Sequence, residues 1–145
     1  MNALSLPFLR PLAPYATLIL RVGLGIVMVA HGWQKYQGGA TGVAGFLGNL
    51  GIPAAGLMAW VVIIVELIGG VCVILGLATR LWALLFGIIM VVAMLTAKGQ
   101  APLIGAMGSG CGKELDVALL VGSLALAGLG GGGLSLDKKL GIEDA

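Results

Sequence analysis

The sequence predicts an all-α integral membrane protein, a bundle of four helices. Apolar residues make up 59% of its 145 residues and charged residues only 10%, whereas a soluble domain has about 25% charged residues. Four apolar stretches approach the roughly 20 residues that cross a bilayer as a helix. So few charges cannot cover a water-exposed surface. The composition therefore excludes a soluble enzyme and a disordered tail, and a net charge of +2 indicates no basic patch for nucleic acid.

One domain over residues 1–145 accounts for the whole pattern. The predicted helices cover about residues 13–35, 54–77, 81–98 and 114–131. Only Ala78, Thr79 and Arg80 join the second helix to the third, so these two helices must form an antiparallel hairpin. Glycine and proline are frequent in the segments that separate the other helices, as expected for loops.

The cations in the loops predict the orientation in the membrane. Four crossings place both termini on one side. The loops of that side carry four cations and the loops of the other side three: Arg10, Arg80, Lys138 and Lys139 against Lys35, Lys98 and Lys113. This excess favours cytoplasmic termini, and thus a multi-pass protein of the inner (plasma) membrane.

One face of the first helix carries cations together with glycines. At 100° per residue, Arg21, His31 and Lys35 fall on the same side as Gly25 and Gly32. Glycine lets a second helix approach closely in a membrane. We therefore expect this face, with its charges, to point into the bundle.

Glu66 lies in the middle of the second helix, with Gly69 and Gly70 on its own side. A carboxylate at this depth needs a proton or a partner, and we predict that Arg21 is that partner. The pair would either fix the first two helices together or handle a substrate or proton. Both alternatives are kept, because charged residues within membrane helices usually have a function.

A second polar group is expected at the outer end of the bundle. His31, Lys35 and Glu114 lie at one membrane level and could form a single site, in which the imidazole can exchange protons near neutral pH. Alternatively they anchor the helices at the interface, beside Trp33. Asp116 is 200° away from Glu114 around the helix, and we expect it to face water or a second subunit.

The two cysteines indicate no metal centre. Cys72 and Cys111 have no CxxC spacing, and His31 is the only histidine, so neither a zinc site nor a bis-histidine haem is indicated. We expect Cys72 to be a small residue that packs between helices. Cys111, between two glycines on the opposite side, could be a reactive thiol, and a disulfide between the two is not expected.

These residues together resemble the DoxX family of small four-helix membrane proteins. Its motifs match Arg21 followed by the HGxxK pattern of residues 31–35, ExxGG at 66–70, GxxTR at 76–80, an acidic residue at Glu114, and a GxGxxSxD ending at 130–137. Gly133 departs from the family, which often has a basic residue there.

The resemblance implies a role in redox chemistry. The family is named for an association with archaeal thiosulfate:quinone oxidoreduction, and some bacterial relatives resemble membrane components of thiol and superoxide defence. We therefore expect the membrane subunit or partner of a quinone- or thiol-linked redox system. The expected partners are the lipid bilayer and either a second copy of the chain or a soluble redox enzyme, with no nucleic acid. The sequence shows no redox centre of its own, and a quinone is the cofactor that the resemblance allows.

The candidate site is a polar group inside the bundle, with no residue assigned to catalysis. Its members are Arg21, His31, Lys35, Glu66 and Glu114. Two other functions remain open: a transporter or binder of a small solute or proton, which inward charges on several helices would suit, and a membrane scaffold without catalysis.

Overall fold

The computed structural model describes residues 6–106 and 112–142, and within them every regular element is helical. A 3₁₀ helix, Pro7–Tyr15, leads into α1. The α-helices are α1 Ala16–Gly38, α2 Ala40–Asn49, α3 Ala55–Ile64, α4 Gly70–Leu75, α5 Thr79–Leu95, α6 Glu114–Leu129 and α7 Leu136–Lys139. A π-helical turn, Val65–Gly69, joins α3 to α4 in one continuous helix. The prediction of an all-α protein is confirmed.

Within the described residues, two helices are long and apolar enough to cross a membrane. They are Phe8–Gly38, whose most apolar 18-residue stretch has a mean hydropathy of 1.9, and Ala55–Leu75, for which the corresponding value is 2.6. A third apolar helix, Thr79–Leu95, has 17 residues. The four crossings remain a prediction beyond these two helices. The segment predicted as the first loop contains α2, which begins directly after Gly39 turns the chain with a φ of 84°.

Glycines allow α1 to pack so closely against the continuous α3–α4 helix that the two backbones are in contact. A Cβ atom added to Gly32 would lie 2.7 Å from the backbone nitrogen of Leu67, and one added to Gly70 would lie 3.0 Å from the carbonyl oxygen of Gly25. Real Cβ atoms do not come so close to a rigid backbone. The inward glycine face predicted for α1 is therefore confirmed, and it fixes the register of the two antiparallel helices.

Gly69, next to Gly70, allows a close contact on the opposite side of the α3–α4 helix. A Cβ at Gly69 would lie 2.6 Å from the Trp82 ring, on α5. The hydrophobic core of the bundle fills the space between α1, α5, α6 and the α3–α4 helix. The buried residues of this core are Leu24, Met28, Val65, Val73, Ala83, Phe86, Met90, Leu119 and Leu126.

The segment after α6 closes the end of the bundle that holds the α4–α5 hairpin. Asp137 is fully buried, and its carboxylate accepts hydrogen bonds from the backbone N–H of Ala78 (2.6 Å) and Thr79 (2.9 Å). These N–H groups begin α5 and have no acceptor within the helix. The N–H of Asp137 in turn donates to the carbonyl oxygen of Gly76 (2.8 Å). A residue from the tail thus provides the N-terminal cap of α5.

The close contact at Gly32 can be tested against a glycine on the same helix. Gly23 is exposed, and a Cβ there meets nothing within 4 Å. We expect Gly32→Ala to lower the free energy of unfolding by about 1–3 kcal/mol, because the added methyl group overpacks the contact with α3–α4. Gly23→Ala should leave it unchanged or raise it by up to about 1 kcal/mol, since alanine is the better helix former. Equilibrium unfolding in detergent micelles, followed by circular dichroism, measures both. Equal effects at the two positions would contradict the close approach.

Candidate functional site

Glu66 and Lys35 form an ion pair across the contact between the two helices. Glu66 lies in the π-helical turn and its side chain is 1% exposed. The Nζ of Lys35, from the last turn of α1, donates to both carboxylate oxygens, while the lysine side chain remains 33% exposed. A π turn inside an α-helix is frequently found at functional sites. The pair thus joins a fully buried carboxylate to a cation that still reaches the surface.

A second ion pair lies close by, between the end of α5 and the start of α6. The Nζ of Lys98 donates to the carboxylate of Asp116 (2.6 Å) and to the carbonyl oxygen of Gly112 (2.9 Å). Asp116 is buried, so the prediction that it faces water or a second subunit is wrong. A buried carboxylate requires a counter-charge, and the chain after α5 carries Lys98 inward to provide one.

His31 presents one nitrogen to the protein backbone. Its Nδ1 lies 2.9 Å from the carbonyl oxygen of Val27, an oxygen that can only accept. This contact assigns the ring hydrogen to Nδ1, so the neutral imidazole has Nε2 as its free acceptor. Nε2 can therefore accept a hydrogen bond while Nδ1 keeps its bond to the backbone.

The two ion pairs and His31 line one cavity of about 190 Å³. Four charged groups take part, two lysines and two carboxylates, and their charges balance. The apolar part of the wall comes from α1, α5 and α6. The lining residues are Met28, His31, Lys35, Glu66, Ile89, Met90, Ala93, Lys98, Leu115, Asp116 and Leu119. We refer to this space as the polar cavity.

Arg21 does not pair with Glu66, and that prediction is wrong. The guanidinium donates through Nη2 to the carbonyl oxygen of Leu134 and interacts electrostatically with Asp137. The register explains the difference. Gly32 is the residue of α1 that lies against Glu66, and Arg21 is three helical turns away, or roughly 16 Å. Arg21 is buried, at the opposite end of the bundle from the polar cavity.

Glu114 also lies outside the polar cavity. Its side chain is exposed, and its carboxylate accepts a hydrogen bond from the backbone N–H of Gly105 (3.3 Å). The structure thus brings together three members of the predicted site, His31, Lys35 and Glu66, and separates Arg21 and Glu114 from them. The functional role of the predicted set stays a prediction.

Cys72 does not line the polar cavity. It has a free thiol and is partly buried on α4, and Cys111 lies outside the described residues. Within residues 6–106 and 112–142, no three side chains of His, Cys, Asp and Glu are close enough to hold a metal ion.

Lys98 and Asp116 are the charged members of the cavity that sequence reasoning missed. A signal was present: Lys98 ends the third predicted helix and Asp116 lies in the first turn of the fourth, so the loop between them returns the chain to the same end of the bundle. Opposite charges at two helix ends that a loop connects are candidates for pairing.

With its apolar helices packed around a small polar cavity, this protein has the architecture of a helical membrane protein. The DoxX family profile matches residues 16–99, and the chain belongs to this family. It is 42% identical over 121 residues to a Bacillus subtilis protein named "Putative oxidoreductase CatD", a match that covers 83% of this chain and 84% of that protein. It is also 31% identical over 134 residues to a protein of Mycobacterium tuberculosis named as an uncharacterized membrane protein, over 88% of this chain and 82% of that one. No solved structure matches the chain significantly.

The Lys35–Glu66 pair should respond asymmetrically to substitution. Lys35→Met leaves the buried carboxylate of Glu66 without a counter-charge, and we expect a loss of about 3 kcal/mol in the free energy of unfolding. Glu66→Gln should cost less, because the partly exposed Lys35 can keep its charge in contact with water. The double variant should recover most of the loss. Unfolding curves in detergent for the four proteins measure the coupling.

Arg21 provides the control for this cycle. Arg21→Met and Glu66→Gln should have additive effects, since residues more than about 10 Å apart with no shared partner do not couple. A larger coupling of Glu66 to Arg21 than to Lys35 would contradict the observed pairing.

Proposed function

We propose that this protein is the membrane component of a redox system and that it binds a quinone headgroup in the polar cavity. The observation that carries the proposal is the convergence of His31 and two partly buried ion pairs on one small space between apolar helices. Ionisable groups placed inside a membrane protein at this cost usually serve a function. A ligand site of this type combines apolar walls with a few polar groups that orient the ligand.

The charge balance of the cavity favours an uncharged headgroup. Lys35 is neutralised by Glu66 and Lys98 by Asp116, so a phosphate or another anion would find no excess positive charge. A quinone is uncharged, and its carbonyl oxygens accept hydrogen bonds. The two lysine ammonium groups in the cavity wall are the donors for such oxygens.

His31 supplies the acid–base chemistry that a quinone requires. Reduction of a quinone to a quinol takes up two electrons and two protons. The electrons would come from a redox enzyme that associates with this chain, and the protons would pass through the polar cavity. Because Nδ1 stays bonded to Val27, Nε2 of His31 is the nitrogen that would exchange a proton with the headgroup oxygen. The relative whose name describes an oxidoreductase supports a redox role.

We further propose that the protein crosses the plasma membrane several times with cytoplasmic termini, which turns the polar cavity toward the outer half of the bilayer. A green fluorescent protein fused to the C-terminus should be fluorescent, and alkaline phosphatase at the same place should be inactive in intact cells, because each reporter works on one side only. Phosphatase inserted between residues 99 and 106 is the control and should be active. The reverse pattern would overturn the orientation.

Binding of menadione, a quinone without a hydrocarbon chain, tests the headgroup site. We expect His31→Phe to raise the dissociation constant about tenfold, because the loss of a hydrogen bond to the headgroup costs about 1.4 kcal/mol. Glu114→Gln is the matched control outside the cavity and should bind like the wild type. Isothermal titration calorimetry measures the affinity, and thermal unfolding of the same samples reports the fold.

Wild-type protein that binds no menadione would overturn the headgroup proposal, and solute-driven currents from that protein in liposomes would then favour a transporter. Equal losses in His31→Phe and Glu114→Gln would also count against the polar cavity as the site.

A further inference from the structure

An apolar cleft of about 230 Å³ adjoins the polar cavity. It lies between α2, α3 and α5, and Lys35 is the one charged residue in its wall. Lys35, Ile89 and Ala93 line both spaces, so the two spaces adjoin at these side chains. The other residues of the cleft are Val43, Phe46, Leu47, Leu50, Val62, Ile88, Val92, Thr96 and Ala97.

The outer rim of this cleft is exposed and apolar. Phe46 is 53% exposed, Ile88 51% and Val92 41%. In a membrane protein, such a rim faces the hydrocarbon of the lipid. The cleft therefore opens sideways between α2 and α5, and its inner end is marked by the ion pair of Lys35.

Together the two spaces have the size and polarity of one amphipathic ligand. Small-molecule sites measure roughly 300–1,000 Å³; either space alone is smaller, and the two combined fall within this range. The polarity changes at one place, from a neutral set of ion pairs on one side of Lys35 to hydrocarbon side chains on the other.

We propose that the apolar cleft receives the prenyl chain of a membrane-resident quinone that enters sideways between α2 and α5. This inference rests on the proposed headgroup site and specifies its ligand class: a quinone with one long hydrocarbon chain. The cleft shares part of its wall with the polar cavity and so suits the chain of a ligand whose head lies there, and the charge balance of the cavity suits an uncharged head. A phospholipid does not meet the second condition, because its head carries a phosphate.

Lys35 lies at the junction of the two spaces. Its side chain lines both of them, is 33% exposed, and donates to the two carboxylate oxygens of Glu66. A chain that passes from the headgroup into the cleft must run beside this lysine. The cleft gives the hydrocarbon chain a path out of the polar cavity but adds little to the binding affinity, because the surrounding lipid is as apolar as the cleft wall.

The test compares two quinones that share one ring. A menaquinone with a four-isoprene chain needs the exit, whereas menadione has only the ring. We expect Val92→Trp and Val43→Trp, on opposite walls of the cleft, to weaken binding of the menaquinone about tenfold or more by filling the exit. Menadione should bind both variants as it binds the wild type. The measurement is the fraction of protein that retains quinone in native mass spectrometry from lipid nanodiscs, over a titration.

Val91→Trp is the matched control. Val91 is 40% exposed on the same helix, next to Val92, but does not line the cleft. It should retain both quinones.

The two proposals fail in different ways. Undiminished menaquinone binding in Val92→Trp and Val43→Trp would overturn the exit and leave the headgroup site standing. Loss of menadione together with menaquinone, in variants with an unchanged thermal melt, would also overturn it, because the cleft would then belong to the head. A wild type that binds neither quinone would overturn the proposed function and this inference with it.

Discussion

The close contact of glycine backbones between α1 and the continuous α3–α4 helix determines where the charges of this protein meet. Gly32 faces the Glu66–Leu67 backbone, and Gly25 and Gly70 face each other. No larger side chain fits there, so the two helices cannot slide past one another by a turn. Lys35, one turn beyond Gly32, is thereby placed opposite Glu66.

The same register divides the polar groups between two ends of the bundle with different character. At one end, two ion pairs and His31 surround open space. At the other end, Arg21, Ser135 and Asp137 are buried against the hairpin. Buried ion pairs contribute little net stability, since the loss of hydration offsets their attraction. Stability alone therefore does not account for the ion pairs around the cavity, and this is the reason for proposing a ligand there.

The sequence predicts the faces of the helices better than their partners. The spacing of Gly25, Gly32 and Lys35 is enough to identify the inward side of α1, because helical periodicity is a local property. The partner of Glu66 depends on the relative depth of two helices, which the centre of each apolar stretch estimates only within several residues. That estimate predicts Arg21 as the partner, whereas the structure places Arg21 three turns away from Glu66. Asp116 depends on the path of a glycine-rich loop, for which no periodicity exists.

The capping of α5 by Asp137 has a consequence for the order of events during biosynthesis. The carbonyl oxygen that accepts from Arg21 belongs to Leu134, and the cap of Ala78 and Thr79 belongs to Asp137. All of these acceptors are translated after every long helix of the bundle. While the nascent chain emerges, one end of the bundle therefore holds a guanidinium and two backbone donors without their final acceptors. The hydrogen bonds at that end can form only after residue 137 has left the ribosome. Their presence therefore distinguishes a chain translated through residue 137 from one that stopped earlier.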